Sequence, residues 1–219
     1  MIRTAELFDL DYTLAKPLLE KTQYPWESLG EIGEFLKALG PALPKEEYEE
    51  VSPTVWIAKT VKRYPNVYIE GPCIICPGAE LRPGAFLRGN VLVGRDAVVG
   101  NSTELKNVIL FDGVQVPHYN YVGDSVLGRK AHMGAGAVTS NVKGNKTNVV
   151  IHAPEGEIPT GRKKVGAFLG DGAEIGCGCV LNPGSVVGKN SQIYPQVSFR
   201  GVLEADSICK AADITVKKA

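Results

Sequence analysis

Aliphatic side chains recur every six residues along most of this chain. The longest unbroken run consists of Ile69, Ile75, Leu81, Leu87, Val93, Val99 and Leu105. A second run extends from Leu169 to Phe199, and the segment between the two runs continues the spacing with occasional steps of five. Four residues after the aliphatic comes a small or β-branched residue, such as Ala79 or Ala85, so both positions face inward. This pattern predicts an all-β solenoid of stacked parallel strands built from hexapeptide repeats.

The two ends of the chain and one internal segment fall outside this repeat. In residues 1–50 the apolar positions around Ile32 and Leu36 fit one face of a helix that Gly40 and Pro41 end. We therefore expect a short N-terminal helical cap that covers the open edge of the first coil. The solenoid is expected over residues 51–205 with an inserted loop at about 142–165, and residues 206–219 remain as a C-terminal tail.

Charge and composition limit the partners of the chain. The 219 residues carry 24 Lys and Arg against 24 Asp and Glu, but only five of the bases and eleven of the acids lie in residues 1–55. The solenoid is therefore mildly basic, which suits a small phosphorylated ligand better than nucleic acid. No run of about 18 apolar residues is present, so no membrane span is expected. Five cysteines without a secretory signal favour a cytoplasmic location.

Stacking of coils predicts which polar residues become neighbours. Glu104 and Tyr121 end equivalent hexads of successive coils, so they are expected to lie over each other. His118 falls one coil above Asn101, and Arg82 lies one coil below on the same side. Lys106 follows Glu104 across the corner, so a carboxylate, an imidazole, a phenol and two cations are predicted to gather within a few strands.

Four segments carry a more specific resemblance. RPGAFL at 82–87, GNSTELKN at 100–107, VPHYNYVGD at 116–124 and GAGAVTSN at 134–141 resemble the acetyltransferase half of the bifunctional glucosamine-1-phosphate acetyltransferases and N-acetylglucosamine-1-phosphate uridyltransferases. The resemblance covers about residues 70–200 and lacks the nucleotidyltransferase half. It implies a left-handed parallel β-helix, a homotrimer, and acetyl-CoA-dependent N-acetylation of an amino-sugar phosphate similar to glucosamine 1-phosphate. Such a reaction belongs to sugar-nucleotide or cell-envelope precursor synthesis.

The resemblance also implies catalytic and sugar-binding roles. His118 would be the general base that deprotonates the sugar ammonium, and Glu104 would orient it. The residues implied to hold the phosphorylated sugar are Arg82, Lys106, Tyr121, Asn141 and, less directly, Lys146.

On the cofactor side, Cys177 stands where the family has a small hydroxyl near the acetyl group. The basic run Arg162, Lys163 and Lys164 has two open interpretations, which are a contact with the phosphates of coenzyme A and a solvated loop.

Two departures from the family pattern leave an alternative function open. His132 replaces an Asn that contacts the sugar, and Val142 replaces the Tyr after Asn141. The alternative is a non-catalytic sugar-phosphate-binding or structural module that partners a separate nucleotidyltransferase.

Metal chemistry is not expected from this sequence. His118, His132 and His152 are spaced by 14 and 20 residues, which does not fit the three-histidine zinc site of hexapeptide-type carbonic anhydrases. Cys73 and Cys76 form a lone Cys-x-x-Cys at inward and turn positions, so we interpret them as packing residues.

Overall fold

The computed structural model describes residues 2–211 and 214–218. Its main body is a left-handed β-helix of hexapeptide repeats, so the predicted solenoid is confirmed. Parallel rungs stack on three faces, and the inward positions form one continuous apolar core. What distinguishes the three faces is the chemistry of the residues that point outward.

Face 1 has apolar residues at its outward positions. Its rungs are Val55–Ala58, Cys73–Ile75, Val91–Val93, 108–110, 125–127, Ala167–Leu169, Ser185–Val187 and Val202–Leu203. Ile74 pairs in register with Leu92, and Val126 pairs in register with Phe168. All four side chains are buried although they point away from the inside of the solenoid. A face of this kind needs a cover, because its apolar side chains would otherwise contact water.

The N-terminal segment supplies that cover. Its helices are Thr4–Leu7, Lys16–Leu19 and Ile32–Leu39, and its 3-10 turns are Leu10–Tyr12, Pro25–Gly30 and Gly40–Ala42. Trp26 packs on Phe168 with ring centroids 5.8 Å apart, and Phe8 packs on Phe111 at 5.2 Å. Each large side chain buried in this way stabilises the fold by about 1.5–3 kcal/mol.

The position of this segment differs from the prediction. The helices lie along the side of the solenoid instead of over its open edge. The strand Tyr48–Ser52 pairs antiparallel with Val55–Ala58 and thereby covers the first rung. The physical reason is the apolar outward column of face 1, which offers far more surface for burial than the edge of one coil.

Face 2 is polar at most outward positions. Its rungs are Lys62–Arg63, Glu80–Leu81, Val98–Asn101, Gln115–His118, His132–Met133, Glu174–Ile175, Gln192–Ile193 and Ser207–Ala211. The last rung pairs antiparallel with Ile214–Lys217. The described part of the predicted tail therefore forms strands of the solenoid instead of a tail. Residues 212, 213 and 219 of that range lie outside the described residues, and so does residue 1 of the predicted cap.

Face 3 carries mixed aromatic, charged and aliphatic residues. Its rungs are Tyr68–Glu70, Phe86–Arg88, 104–105, 121–122, Val138–Thr139, Val180–Leu181 and Ser198–Phe199. Glu104–Leu110 and Tyr121–Leu127 each turn the corner from face 3 into face 1. Glu104 and Tyr121 pair directly, as their sequence positions predicted.

The segment predicted as an inserted loop contains a β-hairpin. Val150–Ala153 pairs antiparallel with Gly156–Pro159. Val149 and Ile151 are buried and lie against Gly184 of the coil above, where a Cβ atom would come within 2.9 Å of Val149. The hairpin is therefore packed on the solenoid through its own apolar residues.

Candidate active site

Asp124 is the centre of a polar cluster at the corner between faces 3 and 1. Its carboxylate is nearly buried, with 5% of the side chain exposed, and accepts from Lys106 Nζ at 3.1 Å. It also accepts from Asn107 Nδ2 at 3.0 Å and from Asn141 Nδ2 at 2.5 Å. Asn107 and Asp124 both have φ near +50°, which Asn and Asp tolerate better than most residues. One cation and two amides thus balance a buried charge.

Tyr121 joins this cluster through its hydroxyl. The oxygen accepts from Asn141 Nδ2 at 3.2 Å. Burial raises the pKa of the phenol, and the charges of Asp124 and Glu104 raise it further. The hydroxyl therefore stays protonated at neutral pH and can donate to a ligand. Gly123 makes room for the ring, because a Cβ atom there would lie 2.5 Å from the Tyr121 oxygen.

Glu104 pairs with Arg88, an arginine outside the predicted set of site residues. Arg88 Nη1 donates to Glu104 Oε1 at 2.6 Å, and this bond is the main cause that raises the pKa of Arg88. Arg82 instead pairs with Glu80 at 2.9 Å at the end of face 2. Arg88 stands 18 residues before Lys106, which is three hexads, so the coil length could have identified it.

His118 ends the strand Gln115–His118 beside Asn101, at the corner between faces 2 and 3. Its backbone N–H donates to Asn120 Oδ1 at 3.1 Å, and the Asn120 amide donates to Gly134 O at 2.8 Å and Ala137 O at 3.0 Å. The imidazole is exposed and has no hydrogen-bond partner among residues 2–211 and 214–218. The expected pairing with Glu104 is therefore not formed in this structure.

A second histidine does have a carboxylate partner. His132 Nδ1 lies 2.8 Å from Glu174 Oε2 on the adjacent rung of face 2. The pair borders a groove of about 360 Å³ that Lys130 and Gln115 also line. In the sequence, His132 stands in place of a family Asn, and its carboxylate partner follows from the register, because Glu174 occupies the equivalent position on the next coil.

The remaining predicted site residues are dispersed. Cys177 is exposed and lies beside Gly134. A Cβ atom added to Gly134 would come within 3.0 Å of Cys177 Sγ. Arg162 donates to Glu27 O at 3.2 Å, so this arginine ties the insertion to the N-terminal segment. The other basic residues of the insertion that were selected, Lys146, Lys163 and Lys164, are exposed.

Two further cysteines lie in the apolar core. Cys73 and Cys76 are buried free thiols. Burial is the main cause that raises the pKa of both, to about 12 for Cys76. In the part of the chain that the structure describes, no three His, Cys, Asp or Glu side chains are grouped to hold a metal ion. None of the described helices is long and apolar enough to cross a membrane.

Comparison with known proteins agrees with this architecture. The family described as the GMPPB C-terminal domain matches residues 69–153. The bifunctional protein GlmU of Methanococcus vannielii is 33% identical over 197 residues, which cover 89% of this chain and 47% of that protein. A bifunctional sugar-1-phosphate nucleotidylyltransferase/acetyltransferase of Sulfurisphaera tokodaii is 31% identical over 169 residues, which cover 77% of this chain and 39% of that protein.

The chain thus spans less than half the length of these curated relatives. The similarity falls on their C-terminal half, and the repeat, the three-faced solenoid and the motif segments agree with it. The chain is a hexapeptide-repeat β-helix that is similar in sequence to the C-terminal half of these bifunctional proteins.

Proposed function

We propose that the chain is an acetyl-CoA-dependent N-acetyltransferase that acetylates the amine of an amino-sugar phosphate. The observation that carries this proposal is the cluster around Asp124, in which Lys106, Tyr121 and Asn141 come together from three of the motif segments. The relatives named above include a sugar-1-phosphate nucleotidylyltransferase/acetyltransferase, which supports both the reaction and the phosphorylated substrate. A place in sugar-nucleotide or cell-envelope precursor synthesis follows from such a product.

His118 is the proposed general base. It takes a proton from the sugar ammonium, and the free amine then attacks the thioester carbon, so that a C–N bond forms and the C–S bond breaks. The coenzyme A thiolate leaves and is protonated. An imidazole suits this task because it titrates near neutral pH, and the exposed ring of His118 is open to a substrate.

Charged and polar groups on face 3 are the proposed sugar-phosphate contacts. The Tyr121 hydroxyl offers a donor and the side-chain carbonyl of Asn141 an acceptor to the sugar, and Lys106 offers a cation to the phosphate. We assign Arg88 to the second cation position, because it lies on the rung below Lys106, whereas Arg82 pairs with Glu80 on face 2. Lys146 stays a weaker candidate on the exposed insertion.

A homotrimer and a coenzyme A site between subunits complete the proposal. The backbone N–H of Cys177, on the same corner as His118, could polarise the thioester carbonyl. Arg162 already donates to the backbone carbonyl of Glu27. Lys163 and Lys164 are therefore the stronger candidates for contacts with the coenzyme A phosphates. In a trimer these groups would face the site from a neighbouring subunit.

The competing candidate is a binding module without turnover. The observation in its favour is the missing hydrogen bond between His118 and Glu104, whose carboxylate pairs with Arg88 instead. The changes at His132 and Val142 point the same way.

A thiol-release assay with acetyl-CoA separates the two candidates. The acceptors are glucosamine 1-phosphate, unphosphorylated glucosamine and a nucleotide-linked amino sugar, and the enzyme is the full chain. The N-acetyltransferase proposal expects release that requires an amino sugar and is faster when the sugar is phosphorylated. Binding of glucosamine 1-phosphate without thiol release by the folded protein would favour the module.

A further inference from the structure

The corner that carries His118 has an amide inside the solenoid. The residue before each rung of face 3 points its side chain into the core. These residues are Val67, Ala85, Thr103, Asn120, Ala137, Cys179 and Val197. Asn120 is 2% exposed, and a buried amide destabilises a fold unless its polar atoms are hydrogen-bonded. The hydrogen bonds of Asn120 must therefore offset the cost of burying it.

The side chain of Asn120 connects two coils. Its Oδ1 accepts from the backbone N–H of His118 at 3.1 Å. Its Nδ2 donates to Gly134 O at 2.8 Å and to Ala137 O at 3.0 Å, both on the next coil. Both N–H groups and the oxygen of the amide are thus used. The backbone of His118 is tied through Asn120 to the corner of the next coil.

The peptide group between Pro117 and His118 has the orientation that this contact requires. Its N–H points into the solenoid toward Asn120, and its carbonyl lies so close to the coil below that a Cβ atom on Gly100 would overlap Pro117 O. At Gly134, the corresponding position two coils above Gly100, the nearest atom to such a Cβ would lie 2.7 Å away. The missing side chain of Gly100 and the amide of Asn120 therefore accommodate the same peptide group.

Tyr119 occupies the strained position of this corner. Its φ is +51°, in the left-handed region, where the next coil has Gly136. A bulky residue keeps such a conformation only when the surrounding contacts determine it. The bonds of Asn120 supply such contacts on one side, and the bond from Tyr119 N–H to Asn101 O at 2.9 Å supplies another. The corner is held in one shape that leaves the ring of His118 exposed.

The imidazole of His118 depends on this backbone for its orientation. No side chain in residues 2–211 and 214–218 is hydrogen-bonded to the ring, and Glu104 pairs with Arg88. The direction of the Cα–Cβ bond therefore decides which positions the ring nitrogens can reach. A general base must come within about 2.6–3.2 Å of the group that it deprotonates, so a corner that moves would lower the rate.

We propose that Asn120 is a positioning residue for His118. It fixes the backbone of the corner from inside the solenoid, so that the imidazole meets the substrate amine in one orientation. Asn120 itself is buried and acts only through His118. The inference rests on the proposed role of His118 as the general base, whereas the hydrogen bond between the two residues is measured independently of any reaction.

The first test is the turnover of Asn120→Ala. Ala85 and Ala137 stand at the equivalent positions of other coils, so this variant should fold. Its kcat in the thiol-release assay should fall at least tenfold, while the KM for acetyl-CoA stays within about twofold of the parent value. Asn120→Thr should retain more turnover, because a hydroxyl replaces part of the hydrogen bonding and Thr103 already fits this position one coil below.

Ser191→Ala is the matched control. Ser191 is also buried, and its Oγ donates to Glu204 O at 2.5 Å and accepts from Ser207 N–H at 3.0 Å. Its loss removes buried hydrogen bonds far from His118, so turnover should equal that of the parent. Thermal unfolding of each variant shows how much stability each substitution costs. Parent turnover in a folded Asn120→Ala chain would overturn the proposal.

Combining the substitutions distinguishes positioning from a general effect on the fold. Because a positioning residue acts through His118, adding Asn120→Ala to His118→Ala should lower the residual turnover less than twofold. A further tenfold loss in that background would show that Asn120 acts on the fold and would overturn the proposal.

Hydrogen exchange of the His118 amide, followed by NMR on the full chain, tests the contact without an assay. Exchange should become at least tenfold faster in Asn120→Ala, whereas the amides of Val91–Val93 on face 1 stay protected. Unchanged exchange at His118 would overturn the proposal even if turnover fell. Faster exchange in a chain that releases no thiol would confirm the contact but reject the positioning role together with the proposed function.

Discussion

Faces 1 and 3 both point small and aliphatic side chains inward, but they differ in the side chains that point outward. On face 1 the outward column contains Leu92, Ile109 and Phe168, and the N-terminal segment buries it. On face 3 the same positions contain Glu104 and Tyr121, which are both partly exposed. The inward residues of the repeat therefore determine the fold, whereas the outward residues determine whether a face is buried by another element or carries a polar site.

The largest expected effect is on the free energy of unfolding, which should respond more strongly to a truncation on face 1 than to one on face 3. Phe168→Ala removes a buried ring that packs on Trp26, so it should lower the free energy of unfolding by about 3–5 kcal/mol. Phe86→Ala is the matched change on face 3, at the same outward position but partly exposed, and should cost less than about 1.5 kcal/mol. Denaturant unfolding of both variants measures this, and equal losses would mean that face 1 is not specially covered.

The second effect concerns catalysis at the corner of faces 2 and 3. His118→Ala should lower turnover by about 10²- to 10⁴-fold, because proton transfer contributes that much, while the midpoint of thermal unfolding stays near that of the parent. His132→Ala is the comparison, since its ring already pairs with Glu174. If turnover instead fell with His132→Ala and survived in His118→Ala, the base would be the His132–Glu174 pair.

The third effect compares cations. Lys106→Ala and Arg88→Ala should each weaken glucosamine 1-phosphate binding by about 1.5–3 kcal/mol, the loss of a charge-assisted hydrogen bond, and leave unphosphorylated glucosamine unaffected. Arg82→Ala should have a smaller effect, because Arg82 follows the face 2 strand Glu80–Leu81, whereas Lys106 and Tyr121 lie on strands of face 3. Calorimetry on the three variants decides between Arg82, which the motif selects, and Arg88, which the geometry selects.

The smallest effect concerns the pair between Glu104 and Arg88. Glu104→Gln removes a partly exposed ion pair, so stability should change by no more than about 1 kcal/mol. Turnover should fall less than in His118→Ala, because Glu104 contacts Arg88 and not the imidazole. A loss as large as that of His118→Ala, without unfolding, would restore Glu104 as the orienting partner of His118.

The sequence predicted the coil well because its signal is a strict period. The pairs Glu104 with Tyr121 and His118 with Asn101 followed from counting hexads. The place of the N-terminal segment was missed because the apolar outward residues of face 1 were not separated from the inward ones. Every third strand belongs to face 1, and its outward residues, such as Ile74, Leu92 and Ile109, are apolar in the sequence as well.

Side-chain partners were harder to predict. Asp124 ends the segment VPHYNYVGD, but its role as acceptor for Lys106, Asn107 and Asn141 depends on the geometry of the corner. Arg88 was passed over because a motif match favoured Arg82. Ion pairs between long side chains depend on distances of a few ångströms, which hexad counting alone does not provide.

The most direct test of the central claim is the identity of the product. The full chain is incubated with acetyl-CoA labelled in the acetyl group and glucosamine 1-phosphate or a nucleotide-linked amino sugar, and the products are analysed by mass spectrometry. The account predicts one labelled acetyl group on the sugar nitrogen, and its loss in His118→Ala. A folded chain that leaves every amino-sugar phosphate unlabelled would contradict it.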